Sequence, residues 1–153
     1  MKDVKDRNAR GTERILLVED DPAVRAVAQR GLTRFGYEVL AASSGEEAIR
    51  VADATTSPIH LVLTDIMMPG MNGVEVGREL LRRRPGIKVF YMSGYADKDL
   101  IRQGLLEPGT IFLQKPFSPK ELAERIRHVL DGDAPSSISS VDGDGGPDGG
   151  DGR

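Results

Sequence analysis

The chain has no cysteine, only two histidines, His60 and His128, and few aromatic residues, 5% of its 153. Without cysteine it has no disulfide scaffold, no thiolate zinc site and no cysteine nucleophile. Two isolated histidines argue against a multi-histidine metal centre. Long apolar runs are missing too. Stretches such as residues 15–18 fall far short of the roughly 18 residues that a membrane helix needs, and Met1-Lys2-Asp3 opens no apolar signal segment. These absences predict a cytoplasmic domain without a membrane role. Nor does one sign of charge dominate: 21 basic side chains stand against 24 acidic ones, a net of −3.

That charge divides unevenly. Residues 1–14 carry five basic and three acidic groups, residues 15–130 carry fifteen of each, and residues 131–153 carry six aspartates against Arg153. The middle has the balanced surface of a globular domain. The end, DGDAPSSISSVDGDGGPDGGDGR, holds seven glycines and two prolines and cannot bury enough apolar surface to offset its ordering entropy. The expected organisation is a flexible lead-in over 1–13, one domain over 14–131 and a disordered tail over 132–153. No basic stripe with interleaved aromatics points to nucleic acid, and Arg82-Arg83-Arg84 reads as a solvated helix end.

Within the middle, apolar β-rich runs recur at residues 15–18, 37–42, 60–64, 87–92 and 110–114, with helix-period segments between them. Such alternation predicts a parallel sheet covered on both faces. Val24, Val27, Ala28, Gly31, Leu32 and Phe35 keep the spacing of one helix face, with Asp21 suited to its cap, Pro22 to its first turn and Gly36 to its stop. Ser44-Gly45-Glu46-Glu47 and Ser118-Pro119-Lys120-Glu121 have the form of capping boxes. A further helix is expected from Asn72-Gly73 to near Pro85-Gly86, and another over residues 97–104.

Ligands of open parallel sheets bind beyond the carboxyl ends of the strands. There the first run is followed by Glu19-Asp20-Asp21, the third by Asp65, the fourth by Ser93-Gly94 and the fifth by Lys115-Pro116, whereas the second offers only Ser43-Ser44. A strand order 2-1-3-4-5 puts that blank strand at the edge and gathers the others. The set is three or four carboxylates, a hydroxyl and an ammonium. Clustered carboxylates call for a cation, and few all-oxygen protein ligands suit magnesium shared with a phosphate. An ammonium and a hydroxyl opposite it can stabilise a phosphoryl group in transfer, and a central carboxylate can act as the nucleophile.

Each residue also has a structural use. Asp21 suits a helix cap, Asp65 the turn into Met68-Pro69-Gly70, Ser93 a helix start and Lys115 a surface position. Their coincidence on one rim favours a shared site. His60, His128 and the side chains of Met67 and Met68 read as structural or solvent-exposed.

The runs ILLVEDD (15–21), LVLTDIMMPGMNG (61–73), VFYMSGYAD (89–97) and FLQKPFSPKEL (112–122) resemble, in order and spacing, the receiver domain of bacterial two-component response regulators. The resemblance covers residues 14–131. It implies the flavodoxin-like (βα)5 sandwich, a three-layer fold around a parallel five-stranded sheet of order 2-1-3-4-5. By position it makes Asp65 the phosphoacceptor, Glu19 and Asp20 the acidic pair that holds Mg2+ (Mn2+ as a substitute), and the Met67 backbone carbonyl a further metal ligand. Ser93 becomes the switch hydroxyl, Lys115 the phosphoryl-binding lysine ahead of a cis bond to Pro116, and Phe112 the switch aromatic. Glu19, Ser93 and Phe112 stand where aspartate, threonine and tyrosine are also frequent.

The implied function is phosphorelay signalling: a histidine kinase or phosphotransfer protein phosphorylates Asp65, and a partner reads the face of the fourth helix, fifth strand and fifth helix. This is a switch that assists its own phosphorylation and dephosphorylation, not a turnover enzyme, and it has no direct nucleic-acid role. With no output domain after Leu130, the expectation is a single-domain regulator or an excised receiver, since residues 93–117 and the GTERILLVEDD opening resemble carboxyl-terminal receivers of hybrid histidine kinases. Met67 and Tyr95 are expected to shield the acyl phosphate from water. The alternatives are a magnesium-dependent phosphohydrolase, for which the short loops offer no second general base, and a receiver-like binding module that works without phosphate.

Overall fold

A computed structural model of the chain describes residues 9–94, 97–108 and 110–132. Its apolar runs form strands β1 (Arg14–Val18), β2 (Glu38–Ala42), β3 (Leu61–Asp65), β4 (Lys88–Ser93) and β5 (Phe112–Gln114), all parallel, in the order β2-β1-β3-β4-β5. Between and after them run α1 (Pro22–Arg34), α2 (Gly45–Ala54), α3 (Gly73–Arg83), α4 (Asp97–Arg102) and α5 (Pro119–Leu130). This is the expected flavodoxin-like sandwich.

Period-two alternation sorts the strand residues between the two faces. Ile15 and Leu17 of β1 join Ala28 and Leu32 of α1 and Leu122, Ala123 and Ile126 of α5 in one core layer. Leu16 and Val18 join Ala48 and Ala52 of α2 and Val76 and Leu80 of α3 in the other. Leu61 and Leu63 of β3 face the first layer and Val62 the second, and all three are fully buried, as a central parallel strand requires. A smaller cluster of Ile66, Leu100 and Leu106, with Val74, Tyr91 and Phe112 packed on it, seats α4 by the outer strands.

The helix starts carry the sequence signals, but neither expected capping box is reciprocal among the described residues; at α5 only its first half forms, Ser118 Oγ accepting from Glu121 N–H (3.0 Å). Asp21 accepts from the N–H groups of Ala23 and Val24, and Pro22 occupies the first turn of α1. Ser44 Oγ accepts from Glu47 N–H, but the Glu47 carboxylate turns to Ser43, taking both its N–H (2.7 Å) and its hydroxyl (2.8 Å). Two donors on one residue outbid the single N–H that a capping box would supply. The reciprocal box instead forms at α3, where Asn72 and Glu75 bond each other's backbone N–H. Gly36, at φ +100°, ends α1, and a Cβ there would lie 2.4 Å from the Gly11 carbonyl oxygen.

Boundaries shift where chemistry is concentrated. Asp65 and Ser93 are the last residues of β3 and β4, paired in register with Met92 and Gln114, so both are held by sheet backbone. β5 is shorter than expected, and α4 stops before the Gly104 turn.

Residues 9–13, expected in a flexible lead-in, are packed onto the domain. Ala9 is buried in the core layer of α1 and α5, and Gly11 N–H donates to the Phe35 carbonyl. From α5 the Arg127 guanidinium donates to both Glu13 carboxylate oxygens (3.1 and 2.7 Å), the Arg10 carbonyl, the Tyr37 hydroxyl and Asp131. One planar donor fork satisfying this many acceptors explains the order of the segment. Residues 1–8 of the expected lead-in and the expected tail beyond Gly132 lie outside the described residues, as does Tyr95. Among the described residues no helix is long and apolar enough to cross a membrane.

Candidate functional site

The carboxyl ends of β1, β3, β4 and β5 meet on one rim. Glu19 extends β1 by one residue, its N–H donating to the Ala42 carbonyl of β2 (3.1 Å), and it is completely buried. Its carboxylate folds back to accept from Asp21 N–H (3.0 Å). Asp20 beside it is exposed, whereas Asp65 retains only 6% exposure. One oxygen from each of Glu19, Asp20 and Asp65 falls within a mutual distance of 4.8 Å. Asp21 is occupied as the cap of α1, so the rim cluster is this trio.

Lys115 follows β5 directly. Its N–H donates to the Ser93 carbonyl (2.8 Å), carrying the β4–β5 pairing one step further, and its peptide bond to Pro116 is cis, as expected. Its ammonium bridges Glu19 Oε1 (2.7 Å) and Asp65 Oδ2 (3.2 Å). Burial pushes the Glu19 carboxyl above its ordinary pKa against the pull of Lys115. Asp65 is raised in the same way, by burial first, with Lys115 drawing it down and Asp20 pushing it up. For Lys115, burial works against the charge, but Glu19 and Asp65 outweigh it and hold the ammonium above its usual value.

The loop after β3 is shaped by its own backbone. Gly73 N–H donates to the Ile66 carbonyl (2.8 Å), and a Cβ on Gly73 would stand 2.0 Å from the Asp65 carbonyl oxygen. Only glycine permits α3 to begin so close to Asp65. Thr64, fully buried, donates its hydroxyl to the same Asp65 carbonyl (2.9 Å).

The other predicted residues distribute as follows. Ser93 is fully buried at the end of β4. Phe112 is half-buried on the Leu100 cluster, opposite Tyr91 in register, and Met67 packs half-buried on that cluster two residues beyond Asp65. His60 is structural, its Nδ1 accepting Arg14 N–H, and Met68 is a core residue. Sequence reading missed Arg25 of α1, whose guanidinium donates to the Glu19 carbonyl at 2.7 Å.

Three carboxylates, two of them buried, face one ammonium at the rim. That donor set, hard oxygens with one exposed carboxylate, fits a small divalent cation that keeps part of its water shell, as Mg2+ does. An ammonium beside the central carboxylate suits an anionic group attached to it.

A family model described as the response regulator receiver domain matches residues 15–127. The chain is 38% identical over 121 residues to the sensor kinase CckA of Brucella abortus, covering 79% of this chain and 13% of that protein. Among solved structures, the receiver domain from the hybrid histidine kinase CckA shares 41% identity at a TM-score of 0.58, covering 76% of this chain and 98% of that one. The response regulator TrrA of Thermotoga maritima, solved in complex with Mg2+–BeF, shares 30% identity at a TM-score of 0.62, covering 76% and 98%. The chain spans 13% of the Brucella kinase and about half the length of the transcriptional regulators it matches.

Proposed function

The chain belongs to the response regulator receiver domain family, and from that premise we propose that it is a phosphorylation switch in which Asp65 receives the phosphoryl group. The family places it in phosphorelay signalling. The observation that carries the residue assignment is the Lys115 ammonium lying between Glu19 and Asp65, with Asp20 completing an acidic trio.

In this reading a histidine kinase or histidine phosphotransfer protein presents a phosphohistidine at the rim. An Asp65 carboxylate oxygen attacks phosphorus, the P–N bond breaks, and the imidazole leaves with the electron pair and takes a proton from solvent. The product is an acyl phosphate on Asp65. Lys115, already within hydrogen-bond distance of Asp65, meets the phosphoryl oxygens and offsets their charge. Glu19, Asp20, Asp65 and the Met67 carbonyl would hold Mg2+, which supplies charge neutralisation at the phosphoryl oxygens. The related TrrA was solved in complex with Mg2+–BeF, which supports Mg2+ as the cation.

Ser93 then bonds the new phosphate. Phe112 turns into the space released, and the altered α4-β5-α5 face is read by a downstream protein. Phenylalanine has no hydroxyl to donate, so its rotamer is reported through packing alone. Met67 limits access of hydrolytic water. We assign no direct nucleic-acid or membrane partner and place the switch in the cytoplasm, where a kinase donor such as the Brucella relative's own class would meet it. The test is incubation with a small phosphodonor and Mg2+ followed by intact-mass analysis. Wild type should gain one phosphoryl group and Asp65→Asn none; a wild type left unmodified, with a cognate kinase as well, overturns the assignment.

A further inference from the structure

We propose that Arg25 is a positioning residue for the metal-binding carboxylates, acting through the Glu19 backbone carbonyl. Arg25 sits in the first turn of α1, at the end of the helix where the peptide dipoles disfavour a positive charge. The Asp21 carboxylate that caps this end is committed to the Ala23 and Val24 N–H groups, and no acidic side chain follows it within the first turn. What holds Arg25 there is a charge-assisted hydrogen bond of 2.7 Å from its Nη1 to the Glu19 carbonyl, and the guanidinium is partly buried.

The bond falls at a place where the backbone needs it. β1 ends at Val18, and the chain must leave the sheet at once to present Glu19 and Asp20 side by side before Asp21 caps α1. Glu19 N–H is fixed by Ala42, its carboxylate by Lys115 and Asp21 N–H, and its carbonyl by Arg25. The peptide plane that links Glu19 to Asp20 is therefore set by Arg25. The same cation reaches the neighbouring loop electrostatically: Glu47, lowered first by its bonds to Ser43, is lowered further by Arg50 and Arg25.

Positioning and simple charge make opposite predictions. As a positive charge near a cation site, Arg25 would weaken Mg2+ binding, and its removal would tighten it. As the group that orients the Glu19–Asp20 peptide, it strengthens binding, and its removal weakens it. The inference rests on the Mg2+ site of the proposed function, and the experiment separates the two. Mg2+ alone is titrated by calorimetry into the intact protein and its variants, with thermal unfolding as a check on folding. Wild type should bind Mg2+; absence of binding there contradicts the metal site itself. Arg25→Met should bind about tenfold more weakly, the lower end of the loss seen when a partner that orients metal ligands is removed. Arg25→Lys, which keeps a donor and the charge, should recover most of that loss. If wild type binds and Arg25→Met binds equally or more tightly, the positioning role is overturned while the site stands. Should Arg25→Met fail to fold, Arg25→Gln, uncharged and too short to place a donor where the Arg25 Nη1 lies, takes its place. It should also bind about tenfold more weakly, and equal or tighter binding would overturn the role.

Discussion

Glu13→Gln tests whether the segment ahead of β1 is an energetic part of the domain. The hydrogen bonds from Arg127 carry the Glu13 carboxyl from an ordinary 4.5 down to about 2, against a smaller opposing effect of burial. At about 1.4 kcal/mol per tenfold change in proton affinity, that lowering corresponds to roughly 3 kcal/mol. The two side chains remain 19% and 25% exposed, so solvent screening brings the expected contribution to about 1–2 kcal/mol. The folded pKa is the depressed one. The stabilisation is therefore complete above about 4.5 and fades as pH falls towards 2. Urea unfolding of wild type and Glu13→Gln at pH 7 should show a gap of about 1–2 kcal/mol, and at pH 3 most of the gap should be gone. A gap of equal size at both values, or none at pH 7, would refute the ion-pair account of residues 9–13.

Lys115→Met leaves two buried carboxylates without their shared ammonium, and it should lower metal-free stability by about 2–3 kcal/mol, somewhat below the loss for a fully buried pair. Added Mg2+ should then stabilise the variant in urea unfolding more than it stabilises wild type; equal stabilisation contradicts the electrostatic account of the rim. Gly73→Ala forces a methyl against the Asp65 carbonyl. It should cost about 1–3 kcal/mol and slow phosphorylation at Asp65, measured by urea unfolding and intact mass. An alanine variant phosphorylated at the wild-type rate shows that the tight loop has no bearing on the acceptor.

The sheet was legible because its signals are local or periodic. Alternating β and helix-period runs imply parallel strands, and one chemically blank strand end selects its edge position. Asp21, Pro22, Ser44 and Ser118 marked helix starts through side-chain preferences that act within a single turn. What escaped were contacts between remote residues, or between a side chain and a backbone group. The bond from Arg127 to Glu13 spans most of the chain, and no spacing rule connects them. The Arg25 bond to a carbonyl leaves no mark on residue types, because every residue has a carbonyl. Glu47 is legible as a helix-start acid but its partner is not, since the choice between Ser43 and Ser44 depends on loop geometry. Glu19, Asp20, Asp65 and Lys115 were legible as neighbours because each follows or ends a strand, and parallel pairing alone brings such positions together.

The central claim is that Asp65 carries the phosphoryl group. Wild-type protein treated with a small phosphodonor and Mg2+, reduced with borohydride and digested, should show the acyl phosphate as homoserine at position 65 in peptide mass spectra. Asp65→Asn should give no reduced product. Homoserine at another aspartate in wild type, with position 65 unchanged, would contradict the account.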